Sequence, residues 1–221
     1  MSPELLGLLA NSTGETLYMV AVSASLGTLL GLPLGVFLAT SGRGELFEAV
    51  AVNRVLGLVV NATRSTPFII LVVAIIPFTR LLAGTSIGTT AAIVPLTVAA
   101  TPFIARIIET AIREVDAGLI EASRAMGATP LQIVAKVLLP EALPAIALGL
   151  TLTVVSLIGY SAMVGAVGGG GLGDLGIRYG YQRFMPAVMA AVVVVLIVLV
   201  QGLQSAGEAL ARHVNKRIRR S

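Results

Sequence analysis

Five long apolar stretches constrain this chain more than any other feature of its sequence. An α-helix needs roughly 20 mostly apolar residues to cross a hydrocarbon core of about 30 Å. The stretches that meet this length are, approximately, Thr16–Thr40, Val55–Phe78, Thr89–Ile108, Ala145–Val167 and Pro186–Gly207. Of the 221 residues, 56% are hydrophobic and 12% are charged, whereas about 25% are charged in soluble domains. The sequence therefore predicts an all-α membrane protein with five transmembrane helices, forming a single domain over residues 1–221.

The second apolar stretch is interrupted by one charge and two prolines, Arg64, Pro67 and Pro77. Proline is tolerated inside membrane helices because neighbouring helices can satisfy the carbonyl groups that it leaves free. We therefore expect kinks at Pro67 and Pro77 rather than helix ends.

The distribution of basic residues predicts the orientation of the chain. The segment before Thr16 contains Glu4 and Glu15 but no Lys or Arg. The C-terminal tail carries four basic residues, Lys216, Arg217, Arg219 and Arg220. The positive-inside rule then places the N-terminus outside and the C-terminus in the cytoplasm. The net charge of +4 is accordingly assigned to topology and to contact with anionic lipid headgroups, not to nucleic-acid binding.

The glycine-rich stretch Gly165–Gly176 contains the G-x-G-x-x-G pattern of dinucleotide-binding loops. That pattern binds a pyrophosphate only where a strand precedes it and a helix follows. Here it follows the fourth predicted span instead. We expect its glycines to form a tight turn on the outer side, as part of an outer gate, and not to bind a nucleotide.

Other features argue against enzyme chemistry in this chain. Without cysteine, and with His213 as its one histidine, the sequence predicts no metal site. It contains no G-x-x-x-x-G-K-[ST] phosphate loop, so any ATP hydrolysis belongs to another polypeptide.

One polar island, Glu109–Leu143, lies between the third and fourth spans. We predict a short amphipathic helix over Ala117–Met126, a stop at Gly127, and a second helix capped by Thr129. Pro140 and Pro144 are expected to mark the start of the fourth span. The helices would expose apolar surface from Leu119, Ile120, Met126, Leu131 and Ile133. Such surface favours a protein partner, and the alternative is a solvated hairpin with no partner.

The island resembles the EAA loop of membrane permease subunits of bacterial ATP-binding-cassette (ABC) importers, whose pattern is EAA-x3-G-x9-I-x-L-P. The matching positions are Glu121, Ala122, Ser123, Gly127, Val137, Leu139 and Pro140. Ser123 replaces the usual Ala and Val137 the usual Ile, which are small changes for a packed helical turn. Four longer stretches are similar to the methionine-importer permeases in particular: Arg64–Arg80, Gly84–Arg106, Leu119–Pro144 and Gly159–Gly173.

The resemblance implies a multi-pass permease of the bacterial inner membrane with the type I importer fold. It implies a homodimer coupled to two cytosolic ABC ATPase subunits, which bind ATP and Mg, and an extracytoplasmic methionine-binding lipoprotein. The chain itself would carry no cofactor and would move D- and L-methionine. Alternatives are a permease for another amino acid or small nutrient, and an ATP-independent carrier or channel.

Six residues are candidates for the translocation pathway or gate: Arg64, Ser65, Pro67, Tyr160, Ser161 and Met163. An ionisable residue within a span suggests a functional site, although Arg64 could instead extend its side chain to the cytoplasmic headgroups. Pro67 offers a hinge point, and Met163, flanked by small residues, a deformable plug. Serines in a span also serve helix packing, which is the alternative for Ser161.

Overall fold

The computed structural model describes residues 3–214, which form ten α-helices and two π-helical segments. The α-helices are α1 Pro3–Thr40, α2 Val50–Ser65, α3 Phe68–Ala74, α4 Ile76–Ala83, α5 Thr89–Arg113, α6 Ala117–Ala125, α7 Pro130–Ile133, α8 Leu139–Ala166, α9 Gly171–Leu175 and α10 Pro186–Val214. The π-helical segments are Val134–Leu138, between α7 and α8, and Gly176–Gln182, after α9.

Four continuous helical runs are long and apolar enough to cross a membrane: Pro3–Thr40, Thr89–Arg113, Pro130–Ala166 and Pro186–His213. The pair α2 and α3 forms a fifth candidate if it is counted as one broken span. The chain therefore has the predicted all-α membrane architecture.

The second span differs from the prediction, because its prolines end helices instead of kinking one. Helices α2 and α3 are bent by 106° relative to each other. Thr66 between them is extended, with φ −80° and ψ 125°, as the ring of a following proline favours. Pro77 likewise lies in the first turn of a new helix, α4, where its missing N–H costs no hydrogen bond.

Two helices, α1 and α5, extend beyond the apolar stretches that predict them. Helix α1 starts at Pro3 rather than near Thr16, and its first turns place Leu5 and Leu9 against a small core formed by α9 and α10. Helix α5 continues to Arg113. The polar island therefore starts after α5 rather than at Glu109, which is a buried residue of that helix.

Helix α5 is the centre of the main core, where Leu96, Ile104 and Ile108 are completely buried. Helix α1 approaches it along a stripe of glycines. A Cβ atom at Gly31 would lie 2.8 Å from the carbonyl oxygen of Thr101, and one at Gly35 would lie 2.5 Å from that of Ala105. Small residues at this spacing allow two membrane helices to pack with their backbones close together.

Candidate coupling loop and translocation path

The loop after α5 folds as the two short helices predicted, α6 and α7. The side chain of Asp116 caps α6 by accepting a 2.7 Å hydrogen bond from the Gly118 N–H. Gly127 ends that helix with a φ of +79°. Thr129 and Gln132 then form a reciprocal capping box at the start of α7. These local signals confirm the predicted stop at Gly127 and the predicted cap at Thr129.

The residues of the EAA pattern lie in α6, in the turn after it, in the π-helical segment and at the start of α8, and they differ in exposure. Ser123 is buried, and its hydroxyl donates a 2.6 Å hydrogen bond to the Leu119 carbonyl oxygen. A hydroxyl in place of the usual methyl group is thus satisfied within its own helix. Glu121, Ala122 and Gly127 are exposed, as is Pro140 further along. Val137 and Leu139 are half-buried against the main core.

The hairpin exposes large apolar side chains, although fewer than the sequence suggests. Met126 is 80% exposed and Leu131 71%, and Leu119 is also exposed. Ile120 is half-buried. Ile133 is only 1% exposed, so its predicted exposure is wrong. It belongs to the main core because the helix that begins at α7 continues into the body of the protein.

Residues 130–166 form one helical run. Within that run α8 begins at Leu139 with Pro140 in its first turn, as expected, whereas Pro144 lies inside the helix. The π-helical segment precedes them, and the Leu139 N–H bonds to the Val134 carbonyl oxygen. Proline leaves the carbonyl group one turn earlier without a donor, and a π turn is a common local adjustment at such places.

A buried carboxylate on α5 holds the loop end of three helices together. Glu109, 4% exposed, accepts from Arg106 at 2.6 Å and from Arg113 at 2.9 Å. Arg106 also donates to the Asn61 side chain of α2 at 2.5 Å, and Arg113 donates to the Leu38 carbonyl oxygen of α1. Two guanidinium partners compensate the cost of burying the carboxylate.

Sequence reasoning missed this cluster because it placed Glu109 in the polar loop. The spacing of Arg106, Glu109 and Arg113 is a signal that was available, since residues three and four apart share one helix face. The participation of Asn61 has no such local signal.

Arg64 projects from the last turn of α2 toward α5. Its guanidinium carbon lies 5.5 Å from the centre of the Phe103 ring. Together they line a cavity of about 260 Å³. The other lining residues are Arg106, Ile107, Thr110, Ala111, Glu114 and Ala145. Ser65 and Pro67 are exposed at the break between α2 and α3.

The candidates on α8 lie in a different environment. The Tyr160 ring stacks on Phe68 of α3, with 4.4 Å between ring centres. The Ser161 hydroxyl is buried and donates a 2.7 Å hydrogen bond to the Ile158 carbonyl oxygen. Met163 is 47% exposed. The structure thus brings Tyr160 to the helix that follows Pro67, and Arg64 to α5.

The glycine-rich stretch forms a tight turn between α8 and α9. Gly168, Gly170 and Gly171 have positive φ angles. The Gly171 N–H donates to the Glu15 carboxylate at 2.7 Å, and the Leu172 N–H donates to the Thr16 hydroxyl at 2.9 Å. A helix precedes the turn, and the protein's own carboxylate occupies the start of α9. The predicted tight turn is present, and its setting differs from that of a dinucleotide loop.

Residues 31–220 match the family described as binding-protein-dependent transport system inner membrane component. The chain is 59% identical to a probable D-methionine transport system permease protein MetI of Vibrio cholerae, over 95% of this chain and 93% of that protein. It is 49% identical to the corresponding protein of Pasteurella multocida, over 98% and 100%.

Solved structures show the same likeness. A chain of the MetNI methionine ABC transporter in inward-facing conformations superposes with a TM-score of 0.95 at 52% identity, covering 98% of this chain and all of that one. An amino acid ABC transporter with histidines shares the fold at a TM-score of 0.79 and 19% identity.

Proposed function

The chain belongs to the family of binding-protein-dependent transport system inner membrane components, and from that membership we propose that it is the permease of an ABC importer for methionine. As a family member it is a transport component of the inner membrane. The observation that carries methionine as substrate is the full-length likeness to the MetNI methionine transporter at 52% identity. The relatives named as D-methionine permeases favour transport of the D-isomer as well as the L-isomer.

The working unit that we propose is a homodimer of this chain with two cytosolic ABC ATPase subunits, which bind ATP and Mg. An extracytoplasmic methionine-binding lipoprotein delivers the substrate. The exposed side chains of Met126 and Leu131 support an ATPase contact at the α6–α7 hairpin, since apolar groups of this size gain free energy when a partner covers them.

The proposed orientation has the N-terminus outside and the hairpin in the cytoplasm. It rests on the charge distribution. The basic tail that contributes most to it, Lys216, Arg217, Arg219 and Arg220, lies outside the described residues.

Coupling follows from the continuity of the helix that starts in the hairpin. We assign ATPase coupling to Glu121, Ala122, Ser123, Gly127, Val137, Leu139 and Pro140. The helical run over 130–166 connects this region directly to Tyr160, Ser161 and Met163. Displacement of the hairpin by the ATPase would therefore move the proposed gate.

The break between α2 and α3 supplies the second moving part of the proposed pathway. Arg64 and Ser65 end one helix and Pro67 precedes the next. A chain can change direction at such a break by altering a few backbone angles, as hinges do. Met163, half-exposed on a single chain, is the proposed plug on the dimer axis.

The test is uptake of labelled L- and D-methionine by liposomes that contain the chain, its ATPase and its binding protein. Uptake should require ATP on the side of the membrane that carries the ATPase subunits. It should also require the ATPase, the binding protein and an intact α6–α7 hairpin. Uptake by the chain alone without ATP would overturn the ABC assignment. ATP-dependent uptake of another amino acid, with none of methionine, would instead support the alternative permease.

A further inference from the structure

The cavity between α2 and α5 has the chemistry of an amino-acid site. One wall is apolar and comprises Phe103, Ile107 and Ala145. Arg64 adds a cation beside the Phe103 ring. The volume of about 260 Å³ lies just below the range of about 300–1,000 Å³ for drug-sized ligands. The cavity therefore suits a smaller molecule.

The two arginines that line the cavity differ in their bonding partners. Arg106 is occupied by Glu109 and Asn61. Arg64 has the Phe103 ring as its neighbour, and within residues 3–214 it has no hydrogen-bond acceptor or carboxylate partner. Its guanidinium is thus free to receive an anion, and the fork of N–H groups matches a carboxylate.

The contact with Phe103 fixes where Arg64 lies along α5. The Phe103 ring beneath it is ten residues before Arg113, the last residue of α5. At a rise of 1.5 Å per residue this is about 15 Å along the helix. Arg106 and Glu109 follow Phe103 by three and six residues, so Arg64 lies beside the charged cluster of α5, and an unpaired guanidinium next to a cavity is able to bind an anionic group.

We propose that this cavity is a transient station for the translocated amino acid. The Arg64 guanidinium binds its α-carboxylate, and Phe103 and Ile107 contact its apolar side chain. Thioethers pack well against aromatic rings, which suits methionine. This inference rests on the proposed function and names the site at which the substrate meets this chain.

The surroundings of Arg64 favour passage over retention. The Arg64 side chain is exposed on the single chain rather than enclosed by it, so a carboxylate bound there keeps an open route away from the site. Arg64 also lies next to the α2–α3 break, and rearrangement there would move it away from Phe103. Glu114, directly after the end of α5, lines the loop-side end of the same cavity.

The test uses the permease–ATPase complex in lipid nanodiscs without the binding protein, and photo-methionine as the probe. Irradiation followed by mass spectrometry should find labelled residues within Phe103–Thr110 of α5. Unlabelled methionine should compete with the probe. Methioninamide, which has a neutral amide in place of the carboxylate, should compete at least about tenfold less well, because it loses a charge-assisted hydrogen bond.

Matched variants test the cation. Arg64→Met should reduce labelling about tenfold or more, and Arg64→Lys should keep part of it. Arg80→Met is the control, since Arg80 is also exposed but bonds to Ser86 after α4. If Arg64→Met does not assemble, the comparison of methionine with methioninamide on the unmodified complex decides the question.

Labelling outside this cavity, or equal competition by methioninamide, would overturn the proposal. The uptake experiment separates this outcome from failure of the proposed function. ATP-dependent methionine uptake without cavity labelling rejects the station alone, whereas absence of methionine uptake rejects the function on which it rests.

Discussion

The turn after α8 and the turn between α6 and α7 both contain glycines with positive φ. The first turn is packed closely against the rest of the protein, whereas the second is open. A Cβ atom at Gly173, in the short helix after the first turn, would lie 2.4 Å from the Ala162 carbonyl oxygen. At Gly127 in the second turn, a Cβ atom would meet nothing within 4 Å. The first region is closed by the protein's own backbone, and the second is open.

The surrounding side chains show the same contrast. The glycine-rich turn is held by Glu15 and Thr16 of α1, and Leu172 beside it is completely buried. The α6–α7 hairpin leaves Met126 and Leu131 exposed. Glycine serves close packing in one region and backbone conformation alone in the other. The open hairpin is the region that can accept a partner.

The largest expected effect is in α9, the short helix that follows the glycine-rich turn. Gly173→Val places its side chain against the backbone of Ala162, which cannot move without shifting α8. We expect a loss of about 3 kcal/mol or more in the free energy of unfolding, measured as a lower melting temperature of the purified chain. The same substitution at Gly202, where a Cβ would meet nothing within 4 Å, is the control. Equal melting temperatures for the two variants would contradict the close packing described here.

The next effect concerns partner binding by the open hairpin. Leu131→Asp should leave the melting temperature unchanged, because the side chain is 71% exposed. Affinity for the ATPase should fall about 30-fold, as for an interface hot spot of about 2 kcal/mol. This affinity is measured as binding of the ATPase to the permease embedded in lipid nanodiscs. Leu131→Met is the control that keeps an apolar side chain. If the Asp variant keeps its affinity for the ATPase and its uptake, Leu131 is not part of the ATPase contact.

A smaller effect is expected from backbone strain at Gly127. A φ of +79° costs a β-branched residue about 1–3 kcal/mol, whereas asparagine tolerates this region better. Gly127→Val should therefore raise amide hydrogen exchange across α6 and α7 and weaken coupling, and Gly127→Asn should do so less. Identical exchange in the two variants would show that the turn does not depend on its left-handed residue.

The smallest effect is expected at the cap of α7. Thr129→Ala removes the acceptor for the Gln132 N–H and should cost about 1 kcal/mol. Faster exchange of the Gln132 amide measures it, and Thr129→Ser should restore protection. A change in the melting temperature of the whole chain would mean that the hairpin is less independent than its exposure suggests.

Features with local signals could be predicted from the sequence. Apolar runs predicted the spans, and the Gly127 stop and Thr129 cap followed from residue types at fixed offsets. The roles assigned to the coupling and pathway residues stay predictions.

The errors concern contacts between distant segments. Helix α1 begins early because Leu5 and Leu9 pack on α9 and α10. Whether Pro67 kinks or ends a helix depends on which neighbours cover the free carbonyl groups. The cluster at Glu109 needs Asn61 from another helix. No short window of sequence contains these relations.

The π-helical segment at Val134–Leu138 also fixes an angle. Each residue of an α-helix turns the chain by about 100°, and a π turn accommodates one extra residue. The segment therefore absorbs one extra residue between the hairpin and α8 without rotating one against the other. Removing one residue there would restore a regular α-helix and leave the hairpin and α8 in nearly the same rotational relation. A deletion in the regular helix on either side would instead rotate α8 by about 100°, so these five residues are the place in the run where a change of length leaves the direction of a push on the hairpin unchanged.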